Sequence, residues 1–259
     1  VQKFDSLGTF ILKWGSFGNG NGQFNAPEGI TRDSANNLYV ADTQNHRIQK
    51  FDSSGNFILK WGSQGNGNGE FNKPKDMAVD SLNNVYIVDF NNDRVQKFDS
   101  SGNFILKWGS QGSSDGKFNK PEGIGIDSSN NVYVADTIND RIQKFDSSGN
   151  FILKWGTSGS GNGQFQYLED IVTDSQNFVY AVDSDQGSGS MQDRIQKFDS
   201  SGTFILKWGS DGSGNGQFEE PVSITNSFSS ANCSGALEDC YLISSVFDTG
   251  VSGGAAFNT

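Results

Sequence analysis

The sequence predicts an all-β fold assembled from repeated four-stranded sheets, and three observations carry that prediction. First, the stretch RIQKFDSSGNFILKWG at Arg47–Gly62 returns at Arg94–Gly109, Arg141–Gly156 and Arg194–Gly209, and the chain opens inside a further copy at Val1–Gly15. The tryptophans Trp14, Trp61, Trp108, Trp155 and Trp208 are accordingly spaced by 47, 47, 47 and 53 residues. Second, within FILKW the residues Phe57, Leu59 and Trp61 share one face, the period-2 pattern of a half-buried strand. Third, 33 glycines and 12% aromatics suit short strands joined by tight turns, and no window keeps a helical period for more than a turn or two.

Each element of the repeat follows in order. A Gly-rich link (Gly62–Phe71) leads to a Pro-started strand (Pro74–Asp80). An S-x-N-N turn and the strand VYIVD (Val85–Asp89) follow, then a short N-N-D loop and two strands around D-S-S-G-N. Asp and Ser favour that turn, and the glycine supplies a positive φ. Four strands in a period of 40 to 50 residues is the mark of a β-propeller blade. A lone sheet with apolar residues on both faces cannot bury them, whereas stacked blades bury both faces and leave only short edges.

The pattern P-E-G-I-x-x-D-S-x-N-N-x-Y-V-A-D-T-x-N-x-R-I-Q-K-F-D resembles the NHL repeat. Pro27–Asp52, Pro74–Asp99 and Pro121–Asp146 match it, Tyr167–Asp199 matches with Leu168 in place of Pro, and Pro221–Asp248 is degenerate. The resemblance implies a propeller, in a family whose members usually have six blades. Five repeats are counted here. Val1–Gly15 supplies two outer strands, Pro221–Asp248 two inner ones, and Tyr241 aligns with Tyr133. The expectation is therefore one propeller over residues 1–248, with five blades closed by N- and C-terminal strands, and a tail at 249–259. Six blades would follow if one lies outside this chain, which opens in mid-strand at Val1 without initiator Met or signal peptide and so reads as processed or cut.

Composition narrows the partners. Net charge is −11 and 19 basic residues recur at fixed strand positions, whereas a nucleic-acid binder concentrates Lys and Arg on one surface. Nucleic acid is not expected as a partner. No apolar run reaches 18 residues, so no membrane-spanning helix is expected.

The internal copies also separate structure from function: what recurs in every blade reads as architecture. The pairs Asp42/Arg47, Asp89/Arg94, Asp136/Arg141 and Asp183/Arg194 recur and read as structural ion pairs. GNGNG at Gly65–Gly69 suggests a phosphate loop, but a strand rather than a helix follows it, so it reads as a connector. A multi-histidine zinc site cannot be built from His46 alone. His46 reads as a loop residue, since its sister positions are Asp93 and Asp140. The amidating lyases among similar propellers use histidine-bound zinc, whose ligands this chain lacks. Calcium stays open as a cofactor because carboxylates and Asn carbonyls are abundant, although no ordered calcium loop occurs.

Positions that differ between blades are the candidate partner face. Alignment puts Glu28, Lys75, Glu122, Glu169 and Val222 at one mouth, with Asp76 and Asp170 next along. His46 and the inserted loop of the fourth blade, running from Ser184 through Asp185 to Asp193, fall on the same face. Cys233 and Cys240, seven apart in an enlarged loop, read as a local disulfide contributing roughly 2–2.5 kcal/mol, which argues for an oxidising compartment. The triplet Asn232–Ser234 is formally a glycosylation acceptor.

The best-fitting function is a secreted or cell-surface scaffold module without its own catalysis, acidic in its loop face, binding a protein or glycan and open to membership of a larger assembly. The alternative is an enzyme of lyase, lactonase or hydrolase type with an axial calcium ion. An RNA-binding propeller ranks third on charge.

Overall fold

The computed structural model describes residues 1–5, 7–184, 193–225 and, for the backbone alone, 226 and 241–243. The chain divides into two compact units, one built on Val1–Lys107 and the other on Trp108–Val246. In the first, the strands Pro27–Arg32, Leu38–Asp42, Arg47–Phe51 and Phe57–Trp61 form an antiparallel sheet in sequence order. Pro74–Val79, Val85–Asp89, Arg94–Phe98 and Phe104–Trp108 form a second. The second unit repeats the arrangement with Pro121–Ile126, Val132–Asp136, Arg141–Phe145 and Phe151–Trp155, then Leu168–Thr173, Val179–Asp183, Arg194–Phe198 and Phe204–Trp208. These are the four-stranded antiparallel blades of a β-propeller. In the first three, a three-residue 3₁₀ turn joins the second strand to the third.

Within each unit one blade buries its apolar face on the next. Tyr39, Ala41 and Ile48 of the first blade close a core with Phe71, Met77, Val85, Ile87 and Phe98 of the second. Tyr133, Ala135 and Ile142 do the same with Phe165, Leu168, Ile171, Val179 and Phe198. Trp61 packs its ring 5.7 Å from Phe98 and edge-on to Tyr39 at 6.1 Å. Trp155 repeats both contacts with Phe198 and Tyr133.

The D-S-S-G-N turn is shaped for this packing. Asp99 Oδ1 accepts from the Ser101 and Asn103 backbone amides at 2.9 Å, and Asn103 Nδ2 donates to Asp99 Oδ2 at 2.8 Å. Gly102 sits at φ +81°, and a Cβ there would lie 3.0 Å from the Trp61 ring of the preceding blade. The tip glycine therefore satisfies the turn and makes room for the neighbouring tryptophan. Lys50 Nζ reaches across to the same tip, donating to Ser100 O at 3.0 Å, as Lys144 does to Ser200 O.

The first strands of adjacent blades approach as closely as their backbones allow. A Cβ on Gly29 would lie 2.5 Å from Lys75 O, and one on Gly123 2.5 Å from Asp170 Cα. Only glycine fits. In both cases the facing blade carries Asp at the glycine's own position (Asp76, Asp170). Asp170 turns to the following blade, where its Oδ2 accepts from Ser223 Oγ and the Ile224 amide, each at 2.9 Å. The same two-blade alternation places Thr43 and Thr137, whose hydroxyls donate to Pro74 O and Leu168 O at 2.8 Å.

At the ends the repeat is incomplete. Gln2–Phe4 pairs with Phe10–Lys13, and Ile224–Asn226 with Tyr241–Ile243. Phe4 and Ile30 are 46% and 50% exposed, whereas their sister residues Phe51 and Met77 are 0% and 3%. The expected joining of the two ends involves residues 227–240 and 244–259, which lie outside the described residues, as does the expected tail. The register of the last hairpin corrects one alignment. Thr225 faces Leu242 rather than Tyr241, whereas Thr31 faces Tyr39 in the first blade. Leu242 thus takes the place expected for Tyr241. In complete blades the tyrosine hydroxyl is tied to an Asp, as Tyr39 Oη is to Asp33 Oδ2 at 3.1 Å. In the last repeat the sequence has Ser227 at that Asp position.

The two demands on the tip glycine are separable. Gly102→Ala should lose about 1–2 kcal/mol to the left-handed backbone and about 1–3 kcal/mol more to the displaced Trp61 ring. Gly8 has the same conformation (φ +76°) with nothing within 4 Å of a Cβ, so Gly8→Ala should lose only the first part. Urea denaturation of the two variants measures the difference, and equal losses would refute the packing role.

Candidate binding face

The recurring Asp–Arg pair is the centre of a polar node at one end of each blade. Arg47 Nε donates to Asp42 Oδ2 at 2.7 Å, Nη1 to Asn19 O at 2.5 Å, and Nη2 to Gly20 O and Gln23 O at 2.8 and 2.9 Å. Asp42 also accepts from the Asn25 amide and from Asn45 and Gln49 side chains. Arg94 with Asp89, Arg141 with Asp136 and Arg194 with Asp183 repeat the pair at 2.7, 2.7 and 2.8 Å. All four aspartates are fully buried. Burial pushes the Asp89, Asp136 and Asp183 carboxyls up, Asp183 to about 6, against the opposing pull of backbone amides, Asn and Arg donors.

The same node holds the Gly-rich link. Gln49 donates to Gln23 O at 2.6 Å and accepts from the Gly22 amide at 2.9 Å. Gly20 and Gly67 amides donate to Gln23 Oε1 and Glu70 Oε2 at 2.9 and 2.8 Å. A phosphate would have to displace these acceptors, so the links are connectors by construction. Asn45 Nδ2 donates to Gly18 O, and Asn139 Nδ2 to Gly112 O, which brings link and 3₁₀ turn to one face.

His46 belongs to the same framework. It sits at φ +54° after the 3₁₀ turn, and its Nδ1 accepts from the Lys73 amide at 3.1 Å. Asp193, at the sister position of the fourth blade, is 1% exposed and accepts from the Glu220 amide at 2.8 Å. Both side chains tie their blade to the start of the next. Burial and nearby Lys73 pull the His46 imidazole below its ordinary value, against Asp89.

The acidic positions do not share one environment. Glu28 is exposed, with Lys75 Nζ 3.8 Å from its Oε2. Glu122, Glu169 and Asp170 are only 4%, 7% and 7% exposed. Tyr167 Oη donates to Glu122 Oε1 at 2.8 Å, and burial with the Glu122 and Glu169 charges drives the Tyr167 hydroxyl far above its usual range. Asp170 is occupied by Ser223 and Ile224, as above. Asp76 flanks Gly29. Asp185 and most of the inserted loop lie outside the described residues, as do Cys233, Cys240 and the Asn232–Ser234 triplet. The Tyr167–Glu122 bond has no signal in the spacing of charges. The Asp33–Tyr39–Lys50 set, with Lys50 Nζ 3.4 Å from Asp33, does have one, since the Asp and Tyr recur six residues apart in every complete blade.

Among the described residues no group of three or more His, Cys, Asp or Glu is placed to hold a metal ion, and no helix is long and apolar enough to cross a membrane.

Residues 118–145 match the NHL repeat, and residues 32–107 match DUF5128, described as a 6-bladed β-propeller. No curated protein matches the sequence. Similar solved structures include a protein of unknown function from Bacteroides caccae, 13% identical, with a TM-score of 0.56 over 78% of this chain and 72% of that one. Virginiamycin B lyase from Staphylococcus aureus is 14% identical, TM-score 0.55, with 77% and 59% covered. A streptogramin B lyase is 17% identical, TM-score 0.52, with 69% and 53% covered. This chain thus spans between half and three fifths of the lyases' length, and the likeness is one of fold.

The His46 tie gives a pH prediction. Because its folded value is lowered from 6.5, the unfolded chain binds the proton more readily. The tie is then present above about pH 6.5 and is lost as pH falls below it. His46→Asp installs the residue that does this job at position 193. Thermal melts from pH 7.5 to pH 5 should fall less steeply for His46→Asp than for the parent, and parallel curves would show that His46 carries no such tie.

Proposed function

We propose that this protein is a recognition scaffold, secreted or displayed at a cell surface, that binds a cationic or polyhydroxylated partner, protein or glycan, on the face formed by the links and 3₁₀ turns. One observation carries the reading: the recurring polar groups that resemble catalytic residues are consumed within the blades. Each Asp–Arg–Gln node is filled by its own donors and acceptors, and His46 and Asp193 hold backbone amides. The positions that differ from blade to blade are assigned to that face, where Glu28 is exposed and Lys75 partly so. The net charge of −11 favours a partner of opposite sign by complementarity. The extracellular location rests on the pairing of Cys233 with Cys240.

A catalytic reading draws on one observation, the drawing together of Glu122, Glu169 and Tyr167 in a single buried setting, and on the lyases among the proteins of similar fold. Calorimetric titration with calcium tests it, since a stoichiometric, tight calcium site would favour an enzyme.

Binding of oligolysine, followed by calorimetry at low and moderate salt, tests the scaffold reading. Glu28→Gln should weaken binding severalfold at low salt, less at moderate salt. Equal binding by parent and variant at both salts would move the site elsewhere. Titration of the unfolded, unreduced protein should find no free thiol, and two reactive thiols would remove the extracellular assignment.

A further inference from the structure

Each Gly-rich link holds one residue on a fixed frame. Phe17, Gln64, Gln111, Ser158 and Asp211 occupy the same place, three residues after the repeated tryptophan. Phe17 pairs in parallel with Phe24, and the other four form the same bridge to the phenylalanine seven residues on. The next glycine closes the frame: Gly18 N donates to Phe24 O and Gly65 N to Phe71 O, both at 3.0 Å. Gly18 O accepts from Asn45 Nδ2, and Gly65 O from Asn92 Nδ2, both at 2.8 Å, which pins the link to the 3₁₀ turn. All five residues are exposed. Gln64 is so within a link that joins two complete blades of one unit, so exposure belongs to the position itself.

The frame places no demand on the side chain, and the five differ in kind: one ring, two amides, a hydroxyl and a carboxylate. Phe17 is 83% exposed. An apolar ring left in water costs free energy that the glutamines at the sister positions avoid. Covering an aromatic that its backbone already holds in place loses little conformational freedom, which is why such residues carry binding energy. The chemistry of the cover follows from charge. The ring face is electron-rich and attracts a cation, Glu28 is exposed in the same unit, and the chain carries a net −11. A guanidinium suits both groups better than an ammonium, because it is planar, stacks on rings and binds carboxylate with two donors.

We infer that Phe17 is the aromatic anchor of the recognition face, stacking an arginine side chain of a cationic protein partner. The inference rests on the recognition face proposed above and narrows its partner to an arginine-bearing peptide. The other four links offer no ring at this position.

Hexa-arginine and hexalysine carry the same charge, so the ratio of their affinities removes most of the electrostatic attraction they share. Calorimetry on the parent, Phe17→Gln, Phe17→Leu and Phe17→Trp reads that ratio. Glutamine stands in the same frame at positions 64 and 111, so Phe17→Gln should keep the parent's melting temperature. The parent should favour hexa-arginine. Phe17→Gln and Phe17→Leu should each lower the ratio about two- to fivefold, and Phe17→Trp should raise it. An unchanged ratio in Phe17→Gln, with both peptides weakened by Glu28→Gln, would overturn the anchor and leave the recognition face standing. No binding of either peptide by the parent would overturn both. A ratio kept by Phe17→Leu would overturn the stacking, since leucine offers area without a ring. Binding of maltohexaose that Phe17→Gln abolishes, with the arginine ratio unchanged, would assign Phe17 to a glycan and overturn the cationic partner.

Discussion

One buried guanidinium per blade decides where the chain runs between blades. A link rich in glycine and asparagine has little tendency of its own to adopt a single path. Arg47 and its counterparts give it one, since the planar fork donates to a buried Asp on one side and link carbonyls on the other. The Asp in turn accepts backbone and side-chain donors, so charge and hydrogen-bond capacity are matched inside the node. Removing either partner would strand a buried charge and release the link together, at about 3–5 kcal/mol for such pairs.

Aromatic packing supplies the second layer. Trp61 and Trp155, each ending a fourth strand, pair in their own sheets and also fill the space above the next blade's turn glycine and third-strand phenylalanine. The pattern joins blade to blade within a unit and explains why turn and strand recur as one block.

Much of the fold is legible in the sequence because its determinants are local and repeated. Alternation in FILKW, the Asp and Gly of the turn, and the Pro opening the first strand each fix one element, and the 47-residue period multiplies them. The Asp–Arg pairs are legible for the same reason. The acidic positions are less so. Alignment places Glu28 and Glu122 at equivalent points, yet one is exposed beside Lys75 and the other is buried against Tyr167. The difference comes from residue 167 itself, a tyrosine whose sister positions are Lys73 and Lys120, and single substitutions of that kind leave no periodic trace. Tyr241 is a second case, where the backbone register sets Leu242 opposite Thr225.

The Gly/Asp alternation along the first strands bears on how such a chain can change length. Gly29 and Gly123 are tolerable because the following blade brings Asp to the contact, and Asp170 is useful because the blade after it offers a hydroxyl and an amide. Two kinds of blade are thus complementary, each shaped for the other. Duplicating or deleting a single blade would set Asp against Asp, two carboxylates at closest approach, or Gly against Gly, with an amide left lacking its acceptor. Gain or loss of two consecutive blades preserves the Gly–Asp match within each pair. In genetic terms the heritable module is the pair, and recombination among the near-identical segments of the gene would be filtered towards even steps.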